Sequence, residues 1–165
     1  MLLALLSGCD IYGRVGIDDT NTPGTLPELL LGQWVFPAAG APSERYIITE
    51  STVHYIDGAG GGMFGFKGDI VFVSNFSSTS GIIIIRYREN HYPQYWGHNG
   101  NSYFGIFYRN LGRYSVQLAN ATEITDGFAA PDTATLEEAI SKFTRGRMGR
   151  YVDWGVVQPQ RRPQQ

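Results

Sequence analysis

Three histidines and one nearby glutamate are the residues in this sequence whose types best suit metal chemistry. His91 and His98 lie in the stretch ENHYPQYWGHNGN with Glu89 beside them, and His54 lies in a predicted strand next to Thr52. Imidazole and carboxylate groups are ligands for zinc or another transition metal. Their spacing matches no established metal motif, and no cysteine lies near them to complete one. We therefore expect no metal and no other cofactor.

A glycine-rich stretch, GGGMFG from Gly60 to Gly65, fits the G-x-G-x-x-G pattern of dinucleotide-binding loops. Such a site needs the loop between a strand and a helix, so that the phosphates meet the helix N-terminus. Here a strand is predicted to follow. Lys67 is followed by Gly68 rather than by Ser or Thr, so the P-loop pattern is also missing. We predict a hairpin connection, in which glycines supply positive φ angles.

The sequence contains none of the common catalytic motifs that we searched for. It has no G-x-S-x-G and no H-E-x-x-H pattern, and no cysteine is placed as a nucleophile. Glu137 and Glu138 are adjacent, but they fall in the first turn of a predicted helix, where the helix dipole already accounts for them. We predict that the protein is not an enzyme.

The long connection between residues 89 and 101 is the best candidate for a binding surface, because it concentrates large aromatic side chains. Such amphipathic side chains are typical of recognition surfaces, and loops at the mouth of a barrel often shape a binding site. Two interpretations stay open: the rings contact a ligand or partner, or they fold back onto the domain as core. The candidate contact residues are Tyr92, Tyr95, Trp96 and His98.

The composition indicates that the elements carrying this loop are β-strands. The chain has 165 residues with 17% charged and 13% aromatic residues, and it contains 21 glycines. Few charges with many aromatic and glycine residues favour a single β-rich domain. The formal net charge of -2 gives no bulk attraction to nucleic acid, so we expect no nucleic-acid partner.

Short runs with alternating or continuous apolar residues predict an antiparallel meander, because they follow one another closely. In the third run, Val53 and Tyr55 are expected to share one face. Ile82–Ile85 is apolar on both faces and needs cover on both, and the polar stretch SNFSSTSG before it is predicted to be a turn. The predicted strands are Gln33–Phe36, Arg45–Glu50, Thr52–Ile56, Ile70–Val73, Ile82–Ile85, Tyr103–Tyr108, Tyr114–Ala119 and Tyr151–Val157.

One helix is predicted in the stretch TLEEAISKFTRG. Thr135 with Glu138 forms a capping box, and apolar residues from Leu136 to Phe143 recur at helical spacing. The fold class that follows is mainly β: an antiparallel meander β-barrel with one C-terminal helix packed on its outside.

The opening residues MLLALLSGCD predict an export signal, because a short apolar block is followed by small residues. Leu6-Ser7-Gly8-Cys9 resembles the lipobox of bacterial lipoproteins. That resemblance implies removal of residues 1–8 and attachment of palmitate-type acyl chains to Cys9. The protein would then be anchored in a membrane of the bacterial cell envelope, on its periplasmic or surface face. The alternative is an ordinary buried N-terminal segment with a chance cysteine.

The remaining composition divides the chain into four parts. After the signal, residues 9–28 are predicted to be a lipidated tether, residues 29–157 a barrel domain, and residues 158–165 a structureless tail. The C-terminal region is also locally basic, which favours either attraction to anionic lipid headgroups or a solvated helix end. The arginines concerned are Arg145, Arg147, Arg150, Arg161 and Arg162.

The sequence Gly32-Gln33-Trp34, followed by YIIT and VHYI, resembles the start of the lipocalin or calycin-like fold. This family opens its barrel with Gly-x-Trp and lays a helix against it near the C-terminus, and the order of elements is similar over residues 32–157. The run YFGIFYRNL…SVQLANA…TATLEEAISKFT is also similar to small uncharacterised lipoproteins of spirochaete type. The lipocalin resemblance implies a small apolar ligand inside the barrel, with Trp34 closing the barrel floor.

Two functions are compatible with these sequence features. The first is a membrane-tethered, lipocalin-like module that binds a small apolar ligand, which requires a cavity in the barrel. The second is a surface or periplasmic interaction protein without a small-molecule ligand, which requires a filled core and an aromatic contact surface for a protein partner.

Overall fold

The computed structural model of this protein describes residues 20–36, 44–58, 64–91, 102–121, 133–150 and 155–159. Within these ranges the chain forms eight strands, one α-helix and two short 3-10 turns. The strands are β1 (Gly32–Val35), β2 (Arg45–Ile48), β3 (Thr52–Asp57), β4 (Phe64–Ser77), β5 (Ser80–Asn90), β6 (Tyr103–Arg109), β7 (Val116–Asn120) and β8 (Gly155–Pro159). The helix is α1 (Leu136–Lys142), and the 3-10 turns are Glu28–Leu30 and Arg145–Arg150.

The eight strands form an antiparallel meander that closes on itself. Each strand pairs with the next, and β8 pairs with both β7 and β1. Closure satisfies the backbone groups that an open sheet leaves unpaired at its two edges. Helix α1 packs on the outer face of β6. The predicted mainly β meander barrel with one C-terminal helix packed on it is confirmed.

Alternation along β2 and β3 separates the inside of the barrel from the outside. Tyr46 and Ile48 on β2 and Val53 and Tyr55 on β3 are buried, while the residues between them are partly exposed. Residues directly opposite each other on paired strands share a face, so the row from Tyr46 to Tyr55 continues onto Phe66 of β4. The predicted shared face of Val53 and Tyr55 is confirmed.

The hairpin of β4 and β5 is much longer than the two apolar runs predicted. The stretch expected to be a turn continues as strand to Ser77, and β5 resumes at Ser80. Its polar residues find specific partners: Asn75 Oδ1 accepts from the Tyr108 hydroxyl at 2.6 Å, and the hydroxyls of Ser77 and Ser80 lie 2.7 Å apart. Serine and asparagine can therefore continue this hairpin, which also contains three register shifts.

The four isoleucines of β5 are covered on both faces, as their continuous apolar run predicts. Ile83 and Ile85 pair with Ile106 and Phe104 on the inner side of β6. On the outer side, Ile82 lies near the point where Phe143 packs against β6. All four isoleucines have no exposed surface.

Helix α1 begins at the predicted cap. The Thr135 hydroxyl accepts a hydrogen bond from the Glu138 backbone N–H at 3.2 Å. The Glu138 carboxylate accepts from the N–H of Ala134 at 3.3 Å, one residue before the partner of a standard capping box. The helix ends at Lys142, and Phe143 beyond it is fully buried against the barrel.

Residues 20–31, which we call the N-terminal strap, lie against the barrel. Asn21 Nδ2 donates to the carbonyl oxygens of Ile140 and Phe143 at 2.7 and 2.9 Å, so the strap meets the C-terminal end of α1. Gly24 N–H donates to the Val73 carbonyl at 2.8 Å, and Leu30 is completely buried. The part of the predicted tether from Asn21 onwards therefore contacts the folded domain.

The seventh and eighth strands differ from the prediction at their ends. The predicted strand Tyr114–Ala119 begins two residues too early, because β7 starts at Val116 and Tyr114 is 74% exposed. The Arg113 guanidinium lies over the Tyr114 ring, 5.9 Å from its centroid. A turn that starts at Asn110, which has a positive φ of 53°, precedes β7 and removes Tyr114 from the alternation. Strand β8 covers Gly155–Pro159 rather than the predicted Tyr151–Val157.

Candidate binding site at the loop end of the barrel

The two ends of the barrel are built differently. In a meander, alternate connections emerge at opposite ends. The connections β1–β2, β3–β4, β5–β6 and β7–α1 share one end, which we call the loop end. The short turns β2–β3, β4–β5 and β6–β7 share the other, which we call the strap end because β1 begins there directly after the strap.

At the strap end, side chains of β1 and β4 donate hydrogen bonds to backbone carbonyls of the N-terminal strap. Trp34 is 3% exposed, and its Nε1 donates to the carbonyl oxygen of Leu30 at 2.8 Å. Asn75, which binds the Tyr108 hydroxyl, also donates from Nδ2 to the Thr25 carbonyl at 3.0 Å. These hydrogen bonds attach the strap to this end of the barrel.

The interior between the two ends holds a cluster of aromatic rings in mutual contact. The centroids of Tyr46 and Tyr55 are 4.8 Å apart, and those of Tyr55 and Phe66 are 5.2 Å apart. Phe66 meets both Tyr87 and Phe104 edge-on at 5.6 Å, and the rings of Tyr87 and Phe104 stack at 5.7 Å. These separations lie within the range of direct ring contact.

The described side chains around this cluster are shielded from water. A cavity large enough for a water molecule leaves accessible surface on the side chains that line it. Six inner side chains of β4, β5 and β6 have at most 1% exposure, while Val73 opposite Ile83 is 7% exposed and Ile70 opposite Ile85 is partly exposed. The six are Phe66, Ile83, Ile85, Tyr87, Phe104 and Ile106. This part of the barrel interior is packed like a protein core rather than held open for a ligand.

Polar groups inside the barrel collect towards the loop end. The Tyr55 hydroxyl donates to Glu44 Oε1 at 2.5 Å, just before β2 begins. The Tyr46 hydroxyl donates to Asn120 Oδ1 at 2.9 Å, at the last residue of β7. Burial, reinforced by Tyr46 and Glu44, raises the pKa of Tyr55 far above its usual range, so this phenol stays protonated and remains a donor.

The outer face of the barrel carries a separate row of charged groups. His54, Lys67 and Glu89 lie opposite one another on β3, β4 and β5. Partial burial, followed by the positive charge of Lys67, lowers the pKa of His54 and keeps its imidazole neutral at neutral pH. Within the described residues no group of three or more His, Cys, Asp or Glu side chains is arranged to hold a metal ion.

One ion-pair cluster lies on the same face. Asp69 accepts from Arg88 at 2.6 Å and from Arg86 at 3.5 Å, so these arginines, at the end of the isoleucine run, are held on the surface of the hairpin. The hydrogen bond from Arg88 holds the pKa of Asp69 below its usual value. This exposed pair contributes little to folding and does not form a site.

The predicted contact residues Tyr92, Tyr95, Trp96 and His98 lie outside the described residues, as does Cys9. The structure does describe both ends of their connection. His91 N–H donates to the Gly65 carbonyl at 3.0 Å, and Tyr87 N–H donates to the Ser102 carbonyl at 3.1 Å. The connection therefore leaves and rejoins the barrel at the loop end.

Four residues of this region were not predicted from the sequence. They are Glu44, Tyr46, Tyr55 and Asn120. The contact of Tyr46 with Asn120 depends on barrel closure, and that of Glu44 with Tyr55 depends on the register of the β2–β3 hairpin. The sequence feature that could have indicated this region is the pair Tyr46 and Tyr55. These tyrosines lie directly opposite each other once the register of the β2–β3 hairpin is known.

None of the protein-family models, curated proteins or solved structures compared with this chain matches it significantly. The class that the structure itself defines is an eight-stranded antiparallel meander barrel with a packed aromatic interior and an outer helix. Among the described residues, no helix combines the length and the apolar character that crossing a membrane requires.

Proposed function

We propose that this protein is a lipid-anchored barrel of the bacterial cell envelope that recognises a protein partner through its loop end, without a small-molecule ligand in the barrel. The observation that carries the proposal is the packed aromatic interior from Tyr46 to Phe104. A core of this kind provides a rigid base for loops, and binding residues are often placed on loops held by such a scaffold.

The energetics of the interior support this choice over a deep ligand site. Removing one buried phenylalanine ring from a packed core costs about 3–5 kcal/mol. An apolar ligand as large as one ring has to displace a comparable group, such as Phe66 or Phe104, before it gains any contact of its own. Recognition at the loop end carries no such cost.

The chemistry of the loop end supports a protein partner. The loop connecting β5 and β6 contains Tyr92, Tyr95 and Trp96, and tyrosine and tryptophan are enriched where protein interfaces have their strongest contacts. Glu44 and Asn120 lie at the loop-end termini of β2 and β7, where they accept hydrogen bonds from the hydroxyls of Tyr55 and Tyr46. His98 belongs to the same candidate surface.

A small apolar ligand remains the second candidate. It is supported by the resemblance of Gly32-Gln33-Trp34 to the lipocalin opening and by the meander barrel with its outer helix. Under this alternative the ligand binds near the loop end, above Tyr46 and Tyr55, because the described interior below them is filled.

Membrane anchoring rests on the lipobox resemblance at Cys9. We expect the protein expressed in a bacterial host to carry acyl chains on Cys9 and to partition into detergent. Mass spectrometry of the N-terminal peptide measures this directly. The matched variant Cys9→Ser should remain unmodified and stay in the aqueous phase. If Cys9 is unmodified in wild-type protein recovered from the membrane fraction, the proposed lipid anchoring is contradicted.

Site-specific photo-crosslinking tests the loop end as the partner surface. A photoreactive amino acid is introduced at Tyr95 in one variant and at Tyr114 in the other. Tyr114 is a suitable control because it is 74% exposed and precedes β7 at the strap end. We expect a discrete protein adduct from position 95 and none from position 114. Equal adducts from both positions, or none from position 95, would contradict the proposal.

A further inference from the structure

The surface beyond the C-terminal end of α1 has a concentration of positive charge that the proposed partner site does not use. Residues 139–150 contain four basic and no acidic residues. Arg145 and Arg147 are exposed and Lys142 is partly exposed. No acidic side chain among the described residues pairs with these two arginines. We call Lys142, Arg145 and Arg147 the basic surface.

The N-terminal strap brings the start of the folded domain to this same place. Asn21 donates to the carbonyl of Ile140 in the last turn of α1 and to that of Phe143, the residue just after the helix. Any chain leading from Cys9 must therefore enter the fold beside the basic surface. Only ~12 residues separate Cys9 from Asn21, and even a fully extended chain of that length reaches no further than about 40 Å.

The direction of α1 places the basic surface away from the loop end. Thr133, just before the helix, forms a β-bridge with Tyr103 at the loop end of β6. Phe143, just after the helix, packs near Gly105 and Phe107, further along β6 towards the strap end. The acidic residues Glu137 and Glu138 lie in the first turn and the basic residues follow the last.

We propose that the basic surface docks on the anionic lipid headgroups of the membrane that carries the anchor, and that this contact turns the loop end away from the membrane. The proposal rests on the proposed lipidation of Cys9 for its choice of membrane as partner. The three side chains of the basic surface lie close together in the chain, and each is attracted to an anionic bilayer surface over about one Debye length. The acyl chains on Cys9 then anchor the protein, and the basic surface fixes the orientation of the barrel on the membrane.

Vesicle binding by the unlipidated full chain, Cys9→Ser, tests the surface independently of the anchor. The probes are vesicles of phosphatidylcholine mixed with phosphatidylglycerol, and pure phosphatidylcholine vesicles as the neutral reference. We expect salt-sensitive sedimentation with the anionic vesicles only. Arg145→Glu and Arg147→Glu should each weaken this binding by at least about fivefold.

The matched control is Arg88→Glu, which makes the same charge change at an exposed position near the loop end of β5. It should leave vesicle binding unchanged, and circular dichroism verifies that all three variants are folded. Equal losses in the control, or no binding of anionic vesicles by the parent chain, would overturn the proposal. Equally tight binding to a DNA duplex would overturn membrane specificity. The vesicle assay uses unlipidated protein, so it tests the basic surface alone. Whether Cys9 carries acyl chains is tested separately by mass spectrometry of the N-terminal peptide.

Discussion

Gly105 sets the distance between helix α1 and the barrel. A Cβ atom at this position would lie 2.9 Å from Cδ2 of Phe143 and 3.2 Å from Cδ1 of Ile82. Both neighbours are completely buried, so neither has free space into which to move. The absence of a side chain at one position in β6 therefore allows the outer helix to cover the isoleucines of β5.

Gly105→Ala should lower the free energy of unfolding by about 1–3 kcal/mol, because the added methyl group overpacks the contact with Phe143. Urea denaturation measures this change. Gly112→Ala is the control, since its Cβ would meet only the Ser115 carbonyl oxygen at 3.6 Å. Equal stability of the two variants would show that α1 does not pack closely on β6.

The buried tyrosines make the fold sensitive to alkaline pH. Burial raises the pKa of Tyr108 to about 12, from its usual 10.0. The folded state thus holds this proton more tightly than the unfolded chain does. The corresponding stabilisation is complete below the unfolded-state pKa and is lost as the pH rises from there through about 12.

Tyr108→Phe should reduce the loss of stability between these pH values while lowering stability at neutral pH, because it removes the hydrogen bond to Asn75. Urea denaturation at a series of alkaline pH values measures both effects. Tyr114→Phe should behave like wild type, because Tyr114 is exposed. An unchanged alkaline profile in Tyr108→Phe would mean that Tyr108 titrates normally.

At the scale of elements, the helix is stabilised at its start by one side chain. Thr135→Ala removes the acceptor for the Glu138 N–H and should cost about 1 kcal/mol of unfolding free energy. Ser141→Ala is the control within the same helix, because the Ser141 hydroxyl donates only to the Glu138 carbonyl at an exposed position. If thermal unfolding shows that Ser141→Ala lowers stability as much as Thr135→Ala does, the role assigned to the Thr135 cap is contradicted.

The N-terminal strap is expected to be part of the cooperative fold. Asn21→Ala removes two donations to carbonyls of Ile140 and Phe143 and should lower the unfolding free energy by about 1–2 kcal/mol. Asn21→Asp should cost more, since a carboxylate there faces the same two carbonyl oxygens. Amide hydrogen exchange in α1 should rise in both variants. Unchanged exchange would show that the strap and the helix are independent.

The elements that sequence predicts well are those whose burial is periodic. The alternation in Thr52–Asp57, the isoleucine run of β5 and the spacing of α1 all follow from which face meets the core. This periodic burial does not predict the N-terminal strap or the outer part of the β4–β5 hairpin. They are held by Asn21, Gly24 and Asn75 through individual hydrogen bonds, which leave no periodic pattern.

The candidate site is less predictable than the fold for a related reason. Aromatic composition indicates the loop that contains Tyr95 and Trp96, and the structure fixes both of its ends at the loop end. The contact of Glu44 with Tyr55 depends instead on the register of the β2–β3 hairpin, and that of Asn120 with Tyr46 on how two distant segments meet when the barrel closes. Spacing along one segment carries no information about such a meeting.

At the scale of the whole molecule, three features combine: a filled barrel, an aromatic loop at one end, and a basic surface beside the entry of the chain. The filled interior is central, because it decides between a carrier and an interaction protein. A meander barrel is compatible with either function, and only its contents separate them. In this barrel the interior is occupied by the rings of Phe66, Tyr87 and Phe104.

Native mass spectrometry of the gently purified full chain, Cys9→Ser, tests most directly whether the barrel is filled by its own side chains. The same sample is then denatured and searched for released small molecules, and a second sample is first incubated with a lipid extract. We expect the mass of the chain alone in both samples. A stoichiometric apolar adduct that is released on denaturation would contradict the filled interior and would identify the barrel as a carrier.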